Sequence, residues 1–185
     1  RRHQAAPGMT LSRNVAGVLA VSALATGLDQ ASKWLMLAVV MDPPRVIELA
    51  PFLNLRLGFN TGISFGMFSD TLERWPELLG LFKLVVGLGL IIWAALSRHR
   101  LERIGLALIA GGAFGNAIDR WRQGAVTDFI DLHWGGWHWP TFNGADIAIT
   151  LGVMLMLFAS LPLADRFAGT GPNAAPQKTE PEASR

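Results

Sequence analysis

The chain has 185 residues and no cysteine, which excludes disulfide scaffolds, cysteine-ligated zinc and thiol catalysis together. Charge is also scarce. Only 16% of residues are Asp, Glu, Lys or Arg, where a soluble domain of this size carries about a quarter. Long stretches carry almost none. Hydrophobic residues make up 51% and mean hydropathy is +0.34, a balance that excludes a soluble globular domain and, more strongly, a disordered chain. A formal net charge of +2 leaves no basic surface for nucleic acid. What remains is an integral membrane protein.

Crossing the hydrocarbon core takes about 20 mostly apolar residues, and four windows qualify: about 15–39, 77–96, 104–122 and 143–163. The first is too long for a secretory signal peptide and carries Asp29 and Lys33 where an h-region is apolar. Residues 1–13 and 164–185 fall outside the spans. Met9 fits an initiator, so residues 1–8 are given no role, and the Pro-, Ala- and Glu-rich tail reads as disordered. Orientation follows the Lys/Arg bias. With both termini cytoplasmic, that side holds Arg1, Arg2, Arg13, Arg98, Arg100, Arg103, Arg166, Lys178 and Arg185, nine of sixteen basic residues.

The two outer loops carry strand patterns. Leu53 to Asn60 alternates apolar with polar or Gly residues, as a half-buried strand does. Leu132-His133-Trp134, Gly135-Gly136 and Trp137-His138-Trp139 read as a hairpin. The spacing of Ile63, Phe65, Met67, Phe68, Leu72 and Trp75 suggests a short helix on the bilayer surface. Five of the seven tryptophans, Trp75, Trp121, Trp134, Trp137 and Trp139, fall at this outer interface as an aromatic belt. The fold class is therefore mainly α: four transmembrane helices, a small extracytoplasmic β-sheet and a short interfacial helix.

Ionisable groups inside spans are costly and each requires a reason. At about 1.5 Å per residue, Asp29 and Asp119 lie at similar depth, each sixteen residues above an inner-side arginine, Arg13 and Arg103. Asp146 begins the fourth span and Asp128 follows the third, so four carboxylates converge on one layer beneath the outer surface. Several have structural explanations. Asp29 and Lys33 stand i, i+4 and neutralise each other. Asp119 has Arg120 beside it, so an internal Asp119–Arg pair is the default, while Asp131 reads as an exposed loop charge and Lys83 as a snorkelling side chain. Asn143 and Asp146 stand i, i+3, so the amide supports the carboxylate. His133 and His138 straddle the hairpin but lack a third metal ligand.

Asp128 and Asp146 have no sequence-local cation. Asp128 sits among Val126, Phe129 and Ile130, where desolvation raises a carboxyl pKa. Two such carboxyls close together share a proton, one serving as base toward water and the other as acid toward the carbonyl or leaving group. Spacing alone does not choose this pair over Asp119 or Asp131.

Five segments carry a resemblance. In chain order they are Asp29-Gln30-Ala31-Ser32-Lys33, Asn60-Thr61-Gly62-Ile63-Ser64-Phe65-Gly66, Gly115-Asn116-Ala117-Ile118-Asp119-Arg120, Val126-Thr127-Asp128-Phe129 and Phe142-Asn143-Gly144-Ala145-Asp146. Together, across four spans, they resemble the bacterial lipoprotein signal peptidase family (signal peptidase II, integral-membrane aspartic proteases). The resemblance covers about residues 27–149. It implies cleavage of signal peptides from prolipoproteins just before a diacylglyceryl-modified cysteine, with Asp128 and Asp146 as the catalytic dyad. It further implies that Asn60, Asn116 and Arg120 contact substrate, that Asn143 supports both dyad and substrate, and that Asp29, Lys33 and Asp119 are structural or framing. No metal or cofactor is implied. The expected partners are a lipid-modified prolipoprotein and membrane lipids, with no nucleic acid. The expected state is a monomer in the bacterial cytoplasmic (inner) membrane with its site near the periplasmic face. Two rival readings are a small proton-coupled transporter, since intramembrane carboxylates also mark ion paths, and a non-catalytic scaffold that uses its charge pairs to pack helices. The carboxylates cluster at one face, which disfavours the first; Asp128 and Asp146 have no purpose in the second.

Overall fold

The computed structural model describes residues 7–62 and 75–161. Helix α1, Pro7–Leu35, runs into a π-helical segment, Met36–Val40. Strands β1 (Ile47–Ala50) and β2 (Leu53–Asn60) follow, then α2 (Pro76–Leu96), α3 (Arg100–Gln123), β3 (Val126–Trp134), β4 (Trp137–His138) and α4 (Gly144–Ala159). Among the described residues three helices, Leu11–Val40, Pro76–Leu96 and Arg100–Gln123, are long and apolar enough to cross a membrane; α4, at 16 described residues, is shorter than the span expected over 143–163. The interfacial helix expected over 63–75 falls, apart from Trp75, outside the described residues, as do residues 162–163 of the expected fourth span, the tail expected to be disordered, and residues 1–6.

Local chemistry sets the helix ends. Pro76 opens α2 at a position whose missing N–H costs nothing, and Glu77 complements the helix dipole. Gly124 closes α3 at φ 75°, donating its N–H to the Arg120 carbonyl at 3.1 Å, in the left-handed conformation that glycine adopts most readily.

Helix α3 is the hub, with α1, α2 and α4 packed around it. Its buried residues are largely small: Gly105, Ala107, Ala110, Gly111, Gly112, Ala113, Gly115 and Ala117. Without a hydrophobic drive in lipid, helices associate by close packing and polar contacts, and small residues permit the approach. A Cβ on Gly111 would lie 2.7 Å from both the Ser22 carbonyl oxygen and the Ala25 Cβ. A polar ladder runs along the same seam. Ser22 Oγ donates to the Ala107 carbonyl at 2.7 Å, Thr26 Oγ1 to Gly111 at 2.9 Å and Gln30 Nε2 to Gly115 at 3.1 Å. Both partners advance by four residues per rung, so α1 and α3 run parallel. Gly80 lies against Trp121 and Gly87 against Phe114, while Gly105 faces Gly152 and Gly112 faces Ala145; α2 and α4 are therefore antiparallel to α3. The start of α1 and the end of α4 lie at one end of the bundle. Large apolar side chains, including Leu24, Leu28, Phe82, Ile92, Met154 and Leu157, point outward, the arrangement of a protein solvated by lipid.

The sheet, antiparallel throughout, has the order β1-β2-β3-β4 and sits where α1 and α3 end and α2 and α4 begin. Strand β2 has the limits its alternation predicts, yet Asn54 is its buried residue and Phe59 is exposed. The register slips between Leu55 and Gly58, so apolar alternation does not map onto a single buried face. The β3–β4 hairpin turns at Gly135 and Gly136, φ 56° and 85°, the pair of positive φ values a two-residue hairpin turn requires. All five tryptophans of the expected belt are exposed.

Candidate active site

At this end of the bundle the polar side chains separate into two clusters. The first centres on Lys33, whose ammonium lies 2.7 Å from Asp29 Oδ2 and 2.8 Å from Asp119 Oδ2 and donates to Asn116 Oδ1 at 3.1 Å. All four residues are buried. The second oxygen of each carboxylate is also occupied. Asp29 Oδ1 accepts the Ala145 N–H at 2.8 Å, tying α1 to the first turn of α4. Asp119 Oδ1 accepts from Gln30 Nε2 at 2.8 Å, while its Oδ2 also takes the Thr127 N–H at 3.0 Å and anchors the start of β3. The Asp29–Lys33 pair is as the sequence suggests, but the expected Asp119–Arg pair is not formed: the cation beside Asp119 is Lys33, from another helix. Sequence reasoning also missed Gln30 and Thr127. Gln30 lies within the quoted first-helix motif, one helical turn beyond Thr26, and that spacing was the available signal.

The second cluster is built on Asp128 and Asp146. Asp128 projects from β3, opposite Gly58 of β2. Asp146 is the third residue of α4, and Asn143 is that helix's N-cap. The Asn143 side-chain Oδ1 accepts the Asp146 N–H at 3.1 Å and the Asp146 carboxylate accepts the Asn143 N–H at 3.2 Å, a reciprocal capping box. The same Asn143 side chain donates to Asp128 Oδ1 at 2.6 Å and to Asn116 Oδ1 at 3.2 Å. Asn116 in turn donates to Asp146 Oδ1 at 3.1 Å. One asparagine pair thus holds both carboxylates at fixed orientation, and Asn116 links this cluster to Lys33.

Both carboxylates open onto a cavity of about 610 Å³, also lined by Asn60, Lys83, Asn116 and Arg120. Its floor is α3, and its walls come from α2, the first residues of α4, and the sheet with the 139–142 segment. Arg120 is buried and donates to the Gly62 carbonyl at 2.9 Å, while its Nε and Nη1 have no partner among the described residues. Burial pushes the Asp128 carboxyl up to about 6, the charge of Asp146 adds to the rise, and hydrogen bonds from Asn143 and Asn60 oppose it. The structure therefore brings Asp128, Asp146, Asn60, Asn116 and Arg120 to one cavity, keeps Asn143 buried behind the two carboxylates, and gathers Asp29, Lys33 and Asp119 beside them.

Asp131, three residues along β3, is a correction. It is 1% exposed, accepts from His138 Nδ1 at 2.8 Å and lies 3.8 Å from Arg56. Burial alone would raise its carboxyl, but the His138 hydrogen bond, with Arg56 and Asn54, holds it below the usual range. His133 stacks on His138, ring centroids 5.1 Å apart. His138 Nδ1 is engaged with Asp131, so the pair fastens the hairpin.

Two carboxyls that share asparagine donors, Asp128 buried and raised toward neutrality and Asp146 half-buried, suit general acid–base chemistry on a bound peptide. The signal peptidase (SPase) II family model matches residues 21–162. The chain belongs to the signal peptidase II family. Relatives named lipoprotein signal peptidase include one from Rhodopseudomonas palustris, 46% identical over 150 residues, covering 78% of this chain and 91% of the relative. Another, from Methylorubrum extorquens, is 43% identical over 154 residues, covering 81% and 89%. A third, from Burkholderia thailandensis, is 41% identical over 162 residues, covering 82% and 94%. Among solved structures, a bacterial membrane enzyme determined by the in meso method at 2.3 Å resolution superposes with a TM-score of 0.66 at 26% identity, covering 91% of this chain and 95% of that one. The five family-like segments fall within the matched region, and the apolar helices fit a bacterial membrane protein.

Proposed function

We propose that the protein is an aspartic endopeptidase that removes signal peptides from diacylglyceryl-modified prolipoproteins just before the lipidated cysteine, with Asp128 and Asp146 as its dyad. The observation that carries this reading is the Asn143–Asn116 bracket, which orients both carboxylates toward one cavity while every oxygen of Asp29 and Asp119 is already engaged. The dyad works with one proton shared between its two carboxyls. A water between the two attacks the scissile carbonyl carbon. Its proton passes to the ionised carboxylate as the neutral partner protonates the carbonyl oxygen. Collapse of the tetrahedral intermediate breaks the C–N bond. The carboxyl that took the proton from water gives it to the departing nitrogen, while the other carboxylate takes back a hydroxyl proton. The lipidated cysteine leaves as a free amine, the signal peptide as a carboxylic acid, and the dyad again holds one proton.

The same reading puts four spans in the inner membrane, α4 continuing to about residue 163, with both termini and the 164–185 tail cytoplasmic. The sheet and the cavity face the periplasm, and the protein acts as a monomer. Parallel α1 and α3, with α2 and α4 antiparallel to them, support the alternation. A substrate anchored by acyl chains in the outer leaflet presents its cleavage site at the depth of the dyad. Asn60, Asn116 and Arg120 then serve peptide groups that lipid leaves unpaired, each worth several kcal/mol by roughly the usual figure. Membership in a peptidase family and a carboxylate cluster confined to one end of the bundle favour this over a proton-coupled carrier or a scaffold.

Incubating the purified protein with a diacylglyceryl-modified precursor and with its unmodified twin tests the proposal. Cleavage of the lipidated form alone is expected. Equal cleavage of both would refute the lipid requirement, and proton-coupled flux across proteoliposomes without cleavage would favour the carrier.

A further inference from the structure

Lys83 is an anomaly in α2. The helix is otherwise free of charge beyond Glu77 in its first turn, and an ionisable group in a span is costly enough to demand a use. Among the described residues, the two other buried cations at this end of the bundle are engaged: Lys33 by two carboxylates, and Arg120, at least through Nη2, by the Gly62 carbonyl. Lys83 is half-buried, takes part in none of the ion pairs among the described residues, and lines the cavity that holds Asp128 and Asp146. It stands on the α2 wall, whereas Asp146 stands at the start of α4. Both helices pack on α3, so a chain lying in the groove between them passes with Asp146 on one side and Lys83 on the other. The antiparallel match of Gly80 with Trp121 and Gly87 with Phe114 sets Lys83 level with residue 118, between Asn116 and Arg120. A side chain that only snorkelled to the surface would not line this cavity.

We infer that Lys83 is a substrate-binding residue whose ammonium donates a hydrogen bond to a neutral carbonyl oxygen of the bound precursor, across the groove from Asp146. An ammonium offers three donors and no acceptor. A peptide extended for attack inside lipid has carbonyl oxygens without partners, and the diacylglyceryl group adds ester carbonyls. This assignment rests on the peptidase reading, and it deepens that reading by naming a contact on the wall opposite Asp146.

Lys83→Met keeps the aliphatic stem and removes the donors. With the lipidated precursor it is expected to raise KM about tenfold, the usual size for a hydrogen bond to a charged group, with kcat within about twofold, and Lys83→Arg recovers most of the loss. Repeating the comparison with a diether in place of the diester assigns the acceptor: a KM penalty that persists identifies a peptide carbonyl, and one that vanishes identifies a lipid ester. Precursor affinity measured on the Asp128→Asn background, with and without Lys83→Met, gives the same tenfold loss without relying on turnover, so failure of the cleavage reading is distinguishable from failure of this one. Unchanged KM and affinity in Lys83→Met, or a loss confined to kcat, would overturn it.

Discussion

The Lys33 cluster and the Asp128–Asp146 cluster are neighbours joined by Asn116, yet they are opposite solutions to placing carboxylates in a dry site. Around Lys33, one ammonium serves Asp29 and Asp119, and backbone N–H groups of Ala145 and Thr127 complete the set. Nothing there is left to react. At the dyad the donors are neutral amides from Asn60, Asn116 and Asn143, and the cations facing the same cavity, Arg120 and Lys83, form no ion pair with either carboxylate among the described residues. Neutral amides orient a carboxylate without cancelling its charge. On the proposed function, residues of one type, at one depth, divide into those that hold the fold and those that exchange protons.

That contrast breaks most visibly at Lys33. Lys33→Met strands two buried carboxylates, and a stability loss of about 3–5 kcal/mol is expected, read as thermal or denaturant unfolding in detergent. A loss below about 1 kcal/mol would show that the cluster is not structural. Asn143→Ala removes the N-cap of α4, costing about 1 kcal/mol. Because the Asn143 hydrogen bond lowers the Asp128 carboxyl, its removal moves that titration above about 6. Infrared titration of the carboxyl band checks the shift, and a downward move would contradict the bracket. The smallest effect is in the pH dependence. Asp128 titrates near 6 when folded against 3.8 as an isolated group, so between these values the folded chain holds a proton that the unfolded chain has lost. Stability from this group is therefore largest below about 4 and falls as pH rises through 6. Wild type is expected to lose stability relative to Asp128→Asn across that window; a constant gap would mean that Asp128 is not raised.

Much of this was legible in the sequence because it is local. The limits of β2, the Gly135-Gly136 turn and the Asn143–Asp146 reciprocity follow from alternation, turn chemistry and a three-residue spacing. Desolvation of Asp128 followed from its apolar neighbours. Contacts between elements were not legible. Spacing favours Arg120 as the partner of Asp119 because the two are adjacent, whereas the close seam between α1 and α3 delivers Lys33 instead. Asp131 reads as an exposed loop charge until the hairpin folds His138 back onto it. The slip in the β2 register, which buries Asn54 and exposes Phe59, leaves no mark on the alternation. Choosing Asp128 and Asp146 over Asp119 and Asp131 needed the family resemblance, and the structure supplies a physical reason for the choice in the partners each carboxylate has.

Turnover of a lipidated precursor by purified Asp128→Asn and Asp146→Asn, each checked for an unfolding midpoint near that of wild type, tests the division of labour most directly. Both variants are expected to fold and to lose cleavage by at least about a thousandfold, within the range for removing a general acid or base. Cleavage by either folded variant at a rate near wild type would contradict the account.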